Sequence, residues 1–158
     1  MAFFPHKTVA VVVEQPDRLK TAGDDTRRFL MVEENSNGRI VFNQPAGHLE
    51  AGESLQQAAL RETLEETAWQ VTLTGFIGLY QYTSPENGEC YIRSCFAGSA
   101  VSHDTGRSLD PDIIRSHWLS LTELQQRRSQ LRSPIVLQVL QDYLAGQCYP
   151  LSVVKNLS

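Results

Sequence analysis

The residues best suited to chemistry are three glutamates within five positions, Glu62, Glu65 and Glu66. On a helix, positions i, i+3 and i+4 share one face, and their Cβ atoms lie about 5 to 6 Å apart. Three carboxylates at this spacing repel one another, and Arg61, four residues before Glu65, offsets only part of the repulsion. Mg²⁺ prefers oxygen ligands and often shares its coordination with substrate phosphates. The spacing therefore predicts a cation site, and the alternative interpretation is a solvated acidic helix face.

The segment that carries the glutamates is predicted to be a helix from Ser54 to Thr67. It contains neither proline nor glycine, and it is rich in good helix formers. Ser54 and Gln57 have the spacing of a capping box, which marks the helix N-terminus. A polar stretch, Asn43 to Gly52, precedes this helix and is predicted to be a loop.

This loop and helix resemble the Nudix box. The box consists of Gly, five residues, Glu, seven residues, Arg-Glu, a variable apolar or small residue, any residue, Glu-Glu, any residue, Gly and an apolar residue. The residues in register are Gly47, Glu53, Arg61, Glu62, Glu65 and Glu66, with Thr63 at the variable place and Trp69 at the last. Ala68 departs from the pattern by replacing the box glycine. We therefore expect either a left-handed Ala68 or a helix that continues past its usual end.

The resemblance extends beyond the box, from about residue 5 to residue 151. The segments PHKTVAVVVE, NQPAGHLEAGESL, LRSPIVLQVL and GQCYPL are similar to the NudJ-like phosphatase branch of the Nudix hydrolases. This resemblance implies an α/β fold, an α/β/α sandwich with a mixed central sheet and a loop-helix catalytic box. It also implies Mg²⁺-dependent hydrolysis of a diphosphate linkage, with Mn²⁺ as a substitute. The branch implies release of orthophosphate from nucleoside tri- and diphosphates and from hydroxymethylpyrimidine diphosphate, a thiamine precursor.

The resemblance also implies which residues bind the metal. Glu62 and Glu66 match box positions that bind it, and Glu65 matches a position that binds metal or handles the attacking water. The backbone carbonyl of Ala46 or Gly47 would add another oxygen ligand.

Further box positions imply a bracing pair, and the identity of the general base stays open. Arg61 and Glu53 match positions that brace the loop against the helix by an ion pair, which orients the catalytic groups. The base is Glu65, Asp110 or Asp112. The two aspartates precede a predicted strand, where some Nudix enzymes place an acidic base or ligand. Their alternative interpretation is a solvated Asp-Pro turn.

Candidate substrate contacts carry a weaker signal. His48 lies inside the box, and either contacts a phosphate or is a neutral loop histidine. Basic residues that could bind phosphate oxygens, or simply be solvated, are Lys7, Arg93, Arg115 and Arg132. Aromatic residues that could stack on a base, or pack in the core, are Phe42, Tyr80, Tyr82 and Trp118.

The rest of the chain is predicted to form strands followed by two helices. Predicted strands cover residues 7–14, 28–33, 39–42, 71–82, 90–100 and 117–119, and Asn87-Gly88 marks a hairpin. One helix begins at Ser120, which forms a capping-box pattern with Glu123, and another follows Pro134 and stops at Gly146. Residues 15–27 are predicted to be a loop of unassigned role, and the tail from Pro150 is expected to fray.

The charge balance and the apolar runs of the sequence argue against nucleic-acid binding and membrane insertion. Lysines and arginines number 14 against 18 acidic residues, so no basic field is available to bind a nucleic-acid polymer. The early apolar run Val9 to Val13 is too short for a membrane span, and the N-terminus lacks the order of a signal peptide. We therefore expect one cytoplasmic domain over residues 1–158, acting as a monomer on a small phosphorylated molecule. Its three cysteines are expected to be reduced thiols.

Two alternatives to the phosphatase hypothesis remain. One is a pyrophosphohydrolase that cuts between the α and β phosphates of another nucleotide derivative. The other is a catalytically silent Nudix-like module that senses a metabolite. The sequence has neither nucleophile-elbow nor Walker spacing, which argues against a serine hydrolase or a P-loop enzyme.

Overall fold

A computed structural model describes residues 2–158, and its centre is a mixed seven-stranded sheet. The strands are β1 (His6–Glu14), β2 (Arg28–Ser36), β3 (Arg39–Asn43), β4 (Ala46–His48), β5 (Trp69–Thr83), β6 (Cys90–His103) and β7 (Ile113–Ser120). The main path runs β3-β2-β1-β6-β5, with β4 paired to β1 and β7 paired to β2. Only the β1–β6 pair is parallel among these described strands.

Helices cover both faces of the sheet. They are α1 (Leu55–Thr67), α2 (Leu121–Gln126) and α3 (Ile135–Leu144), and single 3₁₀ turns occur at Asp17–Leu19, Arg128–Gln130 and Leu151–Val153. Strand β1 is buried on both sides because successive side chains point to opposite faces. Val9, Val11 and Val13 pack in a cluster with alanines of α1, while Ala10 and Val12 pack in a cluster with α2 and α3. The predicted α/β/α sandwich with a mixed sheet is confirmed.

Both predicted capping boxes are confirmed. Ser54 Oγ accepts a hydrogen bond from the Gln57 N–H at 3.0 Å, and Gln57 Oε1 accepts one from the Ser54 N–H at 2.8 Å. Ser120 and Glu123 make the same reciprocal pair at the start of α2. These bonds satisfy amide groups that a helix N-terminus otherwise leaves unpaired.

Helix α1 ends at Thr67, and Ala68 adopts the left-handed conformation, with φ 61° and ψ 13°. Its N–H donates to the Leu64 carbonyl at 2.9 Å. The first of the two alternatives for Ala68 is therefore correct. Ala68 therefore ends the helix in the left-handed conformation expected of the box glycine, although its Cβ atom makes this conformation sterically costly.

Two predictions about irregular segments are wrong. The polar stretch before α1 contains β4, which is too short to show periodicity and forms because it pairs with β1. The tail does not fray at Pro150. Tyr149 and Phe76 exchange backbone hydrogen bonds of 2.7 and 2.8 Å, and Leu151 and Val154 pack against the α1 side of the core.

Two further features of the structure concern its cysteines and the character of its helices. Cys90 and Cys95 are buried, Cys148 is exposed, and all three are free thiols. Within residues 2–158, none of the helices has the length and apolar character needed to cross a bilayer.

Candidate active site

The approach of β4 to α1 depends on Gly47. Strand β4 pairs with β1 through Thr8–His48, Val9–Gly47 and Ala10–Ala46, so Gly47 faces the helix side. A Cβ atom built on Gly47 would collide with the carboxylate of Glu62. Glycine at this position therefore lets the glutamates of α1 reach the backbone of the loop.

Three carboxylates converge beside this contact. Glu62, Glu65 and Asp110 each offer an oxygen atom, and these atoms lie within 4.8 Å of one another. The Asp110 N–H donates to the Glu65 carbonyl at 3.1 Å, which ties the loop before β7 to the last turn of α1. All three residues are half-buried. Hard oxygen donors converging on one point fit a divalent cation such as Mg²⁺. We call this set the carboxylate cluster.

Glu66 lies on the same helix but is more deeply buried, with 7% of its surface exposed. Its Oε1 accepts a hydrogen bond from the Ala46 N–H at 2.8 Å. Burial raises the pKa of Glu66 to about 9 despite that bond, and the charges of Glu34, Glu62 and Asp110 raise it further. Burial also raises the pKa of Glu62. A cation close to these groups would favour their ionised forms, so their environment fits a metal as well.

Arg61 binds the surrounding carboxylates. Its Nε and Nη2 donate to the two oxygens of Glu53 at 3.0 and 2.8 Å, and its Nη1 donates to Glu62 at 2.7 Å and Glu65 at 3.2 Å. Nη2 also donates to the His48 carbonyl at 3.0 Å, which fastens β4 to α1. These bonds, led by those to Glu53, raise the pKa of Arg61. The structure thus brings the two residues of the predicted bracing pair together.

A cavity of about 330 Å³ opens next to β4. Its volume is at the lower end of the range for small-molecule sites. It is lined by residues of six strands, of the loop between β5 and β6 and of the segment before α3, which include Thr8, Glu34, Arg39, Asn43, Ala46, Gly47, His48, Tyr82, Glu86, Tyr91, Arg93 and Arg132. Ala46 and Gly47 border both this cavity and the glutamates of α1. The cavity and the carboxylate cluster are therefore neighbouring parts of one site.

Of the predicted basic residues, two line the cavity. Arg93 on β6 is only 8% exposed, and Arg132 donates to Glu34 at 3.1 Å. The structure does not bring Lys7 or Arg115 to the cavity. Lys7 is exposed, and Arg115 pairs with Glu33 on the neighbouring strand.

Of the predicted aromatic residues, only Tyr82 lines the cavity. Phe42 is buried in the α3-side core, and Trp118 packs edge-to-face on Trp69, 5.8 Å between ring centroids. The Tyr80 hydroxyl donates to Asp142 at 2.7 Å, and burial raises the pKa of Tyr80. Core packing is the correct interpretation for Phe42 and Trp118.

His48 lines the cavity as part of a histidine pair that sequence analysis did not identify. His48 Nε2 and His6 Nδ1 lie 3.0 Å apart, and His6 also contacts Glu89 and stacks on Tyr91 at 4.6 Å. Partial burial lowers the pKa of His48. No local motif indicates this pair, because His48 comes to lie near His6 only when β4 pairs with β1.

The two aspartates proposed as bases have different surroundings. Asp110 belongs to the carboxylate cluster, whereas the Asp112 side chain is exposed and its carbonyl accepts from the Asn35 N–H at 2.9 Å.

Comparisons with known proteins place this arrangement in a family. The family model of the NUDIX domain matches residues 5–139. The chain is 39% identical over 156 residues to Phosphatase NudJ of Escherichia coli K12. The aligned residues cover 99% of this chain and 94% of the relative. A NUDIX hydrolase from Nitrosomonas europaea has 42% identity, a TM-score of 0.88 and 97% coverage of both chains. An Ap4A hydrolase from C. elegans, at 20% identity and a TM-score of 0.67 over 89% of this chain and 96% of its own, shares the fold.

Nudix hydrolases cleave diphosphate linkages of small phosphorylated molecules and generally use a divalent metal. The converging carboxylates and the adjoining cavity supply what that chemistry needs, a cation site beside a small-molecule site. From the match over residues 5–139 and the identity along nearly the whole chain, this protein belongs to the Nudix hydrolase family.

Proposed function

We propose that this protein is a Mg²⁺-dependent phosphatase similar to NudJ. Its substrates would be nucleoside tri- and diphosphates and hydroxymethylpyrimidine diphosphate, and its product would be orthophosphate. The observation that carries the proposal is the convergence of Glu62, Glu65 and Asp110 next to a cavity with a basic wall. Identity to Phosphatase NudJ over 99% of the chain supports the choice of branch.

The metal would be held by Glu62, Glu65 and Glu66, with Asp110 and the carbonyl of Ala46 or Gly47 as further oxygen donors. When bound, Mg²⁺, or Mn²⁺ in its place, would neutralise phosphoryl oxygens and acidify a coordinated water. The Ala46 N–H bond supports this role for Glu66, because it holds the carboxylate against the loop.

Glu65 or Asp110 would act as the general base. The water oxygen would bond to the terminal phosphorus while its proton passes to the carboxylate. The bond from that phosphorus to the bridging oxygen would break, and the bridging oxygen would keep the electron pair. Arg61 and Glu53 would position the reacting carboxylates, since Arg61 contacts both Glu62 and Glu65.

The proposal also covers the organisation and location of the protein. The contacts of Tyr149 and Leu151 with the sheet and the core support one domain that includes the residues after the family match. Free thiols at all three cysteines support a reducing compartment such as the cytoplasm. We expect a monomer in light scattering.

A panel assay tests the proposed function. Nucleoside tri- and diphosphates and hydroxymethylpyrimidine diphosphate are incubated with the protein and MgCl₂, and orthophosphate and pyrophosphate are measured separately. We expect orthophosphate. Pyrophosphate as the only product would contradict the NudJ-like branch while leaving the family unchanged. Binding of these compounds with no hydrolysis in Mg²⁺ or Mn²⁺ would instead favour a silent sensing module.

A further inference from the structure

Arg93 has a buried charge without a carboxylate partner. The residue is 8% exposed and lines the cavity. Its Nη1 donates to Asn43 Oδ1 at 3.2 Å and its Nε donates to Thr8 Oγ1 at 3.5 Å, both neutral groups. Within residues 2–158, Arg93 makes no salt bridge, and its Nη2 has no protein acceptor. One edge of the guanidinium is therefore free to bind a ligand.

The other acidic and titratable groups near the cavity do not neutralise this charge. Glu34 accepts from Arg132, and Glu86 accepts from Arg39 at 2.6 Å. Glu66, whose charge also acts on Arg93, accepts from the Ala46 N–H and makes no hydrogen bond to Arg93 among residues 2–158. Burial raises the pKa of the neighbouring Cys95 thiol to about 12, so Cys95 is uncharged at neutral pH. The wall of the cavity near Arg93 keeps an excess positive charge.

A buried and unpaired guanidinium is costly to a folded protein. Burial lowers the pKa of Arg93, yet a guanidinium stays protonated in proteins. Removing a charge from water without a counter-charge destabilises the fold. An anionic ligand would supply the missing counter-charge, and a phosphate matches the planar fork of an arginine in two parallel hydrogen bonds.

We propose that Arg93 binds the inner phosphate of the substrate, the phosphate that stays on the organic product. This inference rests on the proposed function, and it identifies the side chain that binds the second phosphate. Ala46 and Gly47 border both the carboxylate cluster and the cavity. A phosphate chain along their backbone would have its terminal phosphorus at the cluster and its inner phosphate toward Arg93. A substrate with a single phosphate would bind either at the carboxylate cluster or at Arg93, and not at both.

The test compares two probes, each carrying one of the two phosphates. Product monophosphates, such as nucleoside monophosphates and hydroxymethylpyrimidine phosphate, carry only the inner phosphate, and orthophosphate represents only the released one. Titration calorimetry of the monophosphates without metal, and inhibition of hydrolysis by both probes with Mg²⁺, are measured for wild type, Arg93→Met, Arg93→Lys and Arg115→Met. Arg115→Met is the control, because it removes an equal charge from an exposed residue outside the cavity.

We expect Arg93→Met to weaken monophosphate binding at least tenfold and to weaken inhibition by orthophosphate with Mg²⁺ less than twofold. Arg93→Lys should be intermediate, since it keeps the charge and loses the fork, and Arg115→Met should match wild type. Wild-type protein that binds none of the monophosphates, unchanged binding in folded Arg93→Met or Arg93→Lys, or equal loss for both probes would each overturn the inference. Binding that depends on Arg93 in a protein that releases no orthophosphate would overturn only the proposed function.

Discussion

Two arginines border the site, and their surroundings are opposite. Arg61 donates to Glu53, Glu62 and Glu65, so protein carboxylates neutralise it. Arg93 is more deeply buried, and its side chain donates to one hydroxyl and one amide oxygen and to no carboxylate among residues 2–158. The summed charge of the side chains around Arg61 is negative and would attract a cation. The summed charge around Arg93 is positive and would attract an anion. A metal-bound phosphate chain complements both regions at once.

The largest expected effect comes from Glu66 on the acidic side. Glu66→Gln keeps the shape and the acceptor for the Ala46 N–H while removing the charge. Turnover at saturating Mg²⁺ should fall by at least about a hundredfold, because the weakened metal no longer stabilises the phosphoryl group. Thermal stability without metal should be nearly unchanged at pH 7, since a carboxyl group with a pKa of about 9 is already protonated there. Asp25→Asn, which removes an equal charge from an exposed residue outside the site, is the control. Near-normal turnover in Glu66→Gln would refute an essential role for Glu66.

Removing each arginine should have different effects on stability. Arg61→Met leaves Glu53 and Glu62 without their cation, and we expect a loss of about 2 kcal/mol, below the value for fully buried pairs because these side chains are partly exposed. Arg93→Met leaves no carboxylate unpaired and removes a buried unpaired charge, so stability should change by less than about 1 kcal/mol in either direction. Urea denaturation without metal measures both. Equal losses would contradict the comparison.

Stability without metal should depend on pH through Glu66. The folded-state pKa of about 9 lies above the ordinary value of 4.5, so the folded protein holds this proton more tightly. The contribution is therefore complete below pH 4.5 and is lost as the pH rises through 9, by at most about 1.4 kcal/mol per pH unit. Denaturation at pH 5, 7 and 9 in EDTA should show falling stability in wild type and a flatter profile in Glu66→Gln. Parallel profiles would rule out Glu66 as the cause.

The smallest expected effect is at Ala68, beyond the end of α1. Relief of the left-handed conformation contributes about 1 to 2 kcal/mol, and loss of the buried methyl costs about 0.8 kcal/mol. Ala68→Gly should therefore stabilise the protein by no more than about 1 kcal/mol and leave turnover unchanged. Thermal unfolding of the two proteins checks this, and a lower melting temperature in Ala68→Gly would show that the methyl packing outweighs the strain.

The capping residues of α1 could be predicted from sequence because they lie three positions apart at the start of one helix. The pairing of Arg61 with Glu53 and the two alternatives for Ala68 were implied by the resemblance to the Nudix box. Asp110 could be given only as one of three candidate bases, because its place beside Glu65 depends on a loop 45 residues further along the chain.

Features that depend on strand pairing could not be predicted. Strand β4 is three residues long and forms only against β1. Arg93 was one of four equivalent basic candidates in the sequence, and it becomes distinctive only when β6 pairs with β1 and the residue is buried. Lys7 is a candidate on the same grounds, and in the structure it is exposed and does not line the cavity.

We propose that the carboxylate cluster holds the metal on which hydrolysis depends. Calorimetric titration of Mg²⁺, repeated with Mn²⁺, into wild type, Glu62→Gln, Asp110→Asn and Asp112→Asn tests it most directly. Binding should weaken at least tenfold in Glu62→Gln and Asp110→Asn, with a parallel loss of turnover, whereas Asp112→Asn should bind and turn over like wild type. Metal binding of wild-type strength in both Glu62→Gln and Asp110→Asn would contradict the account.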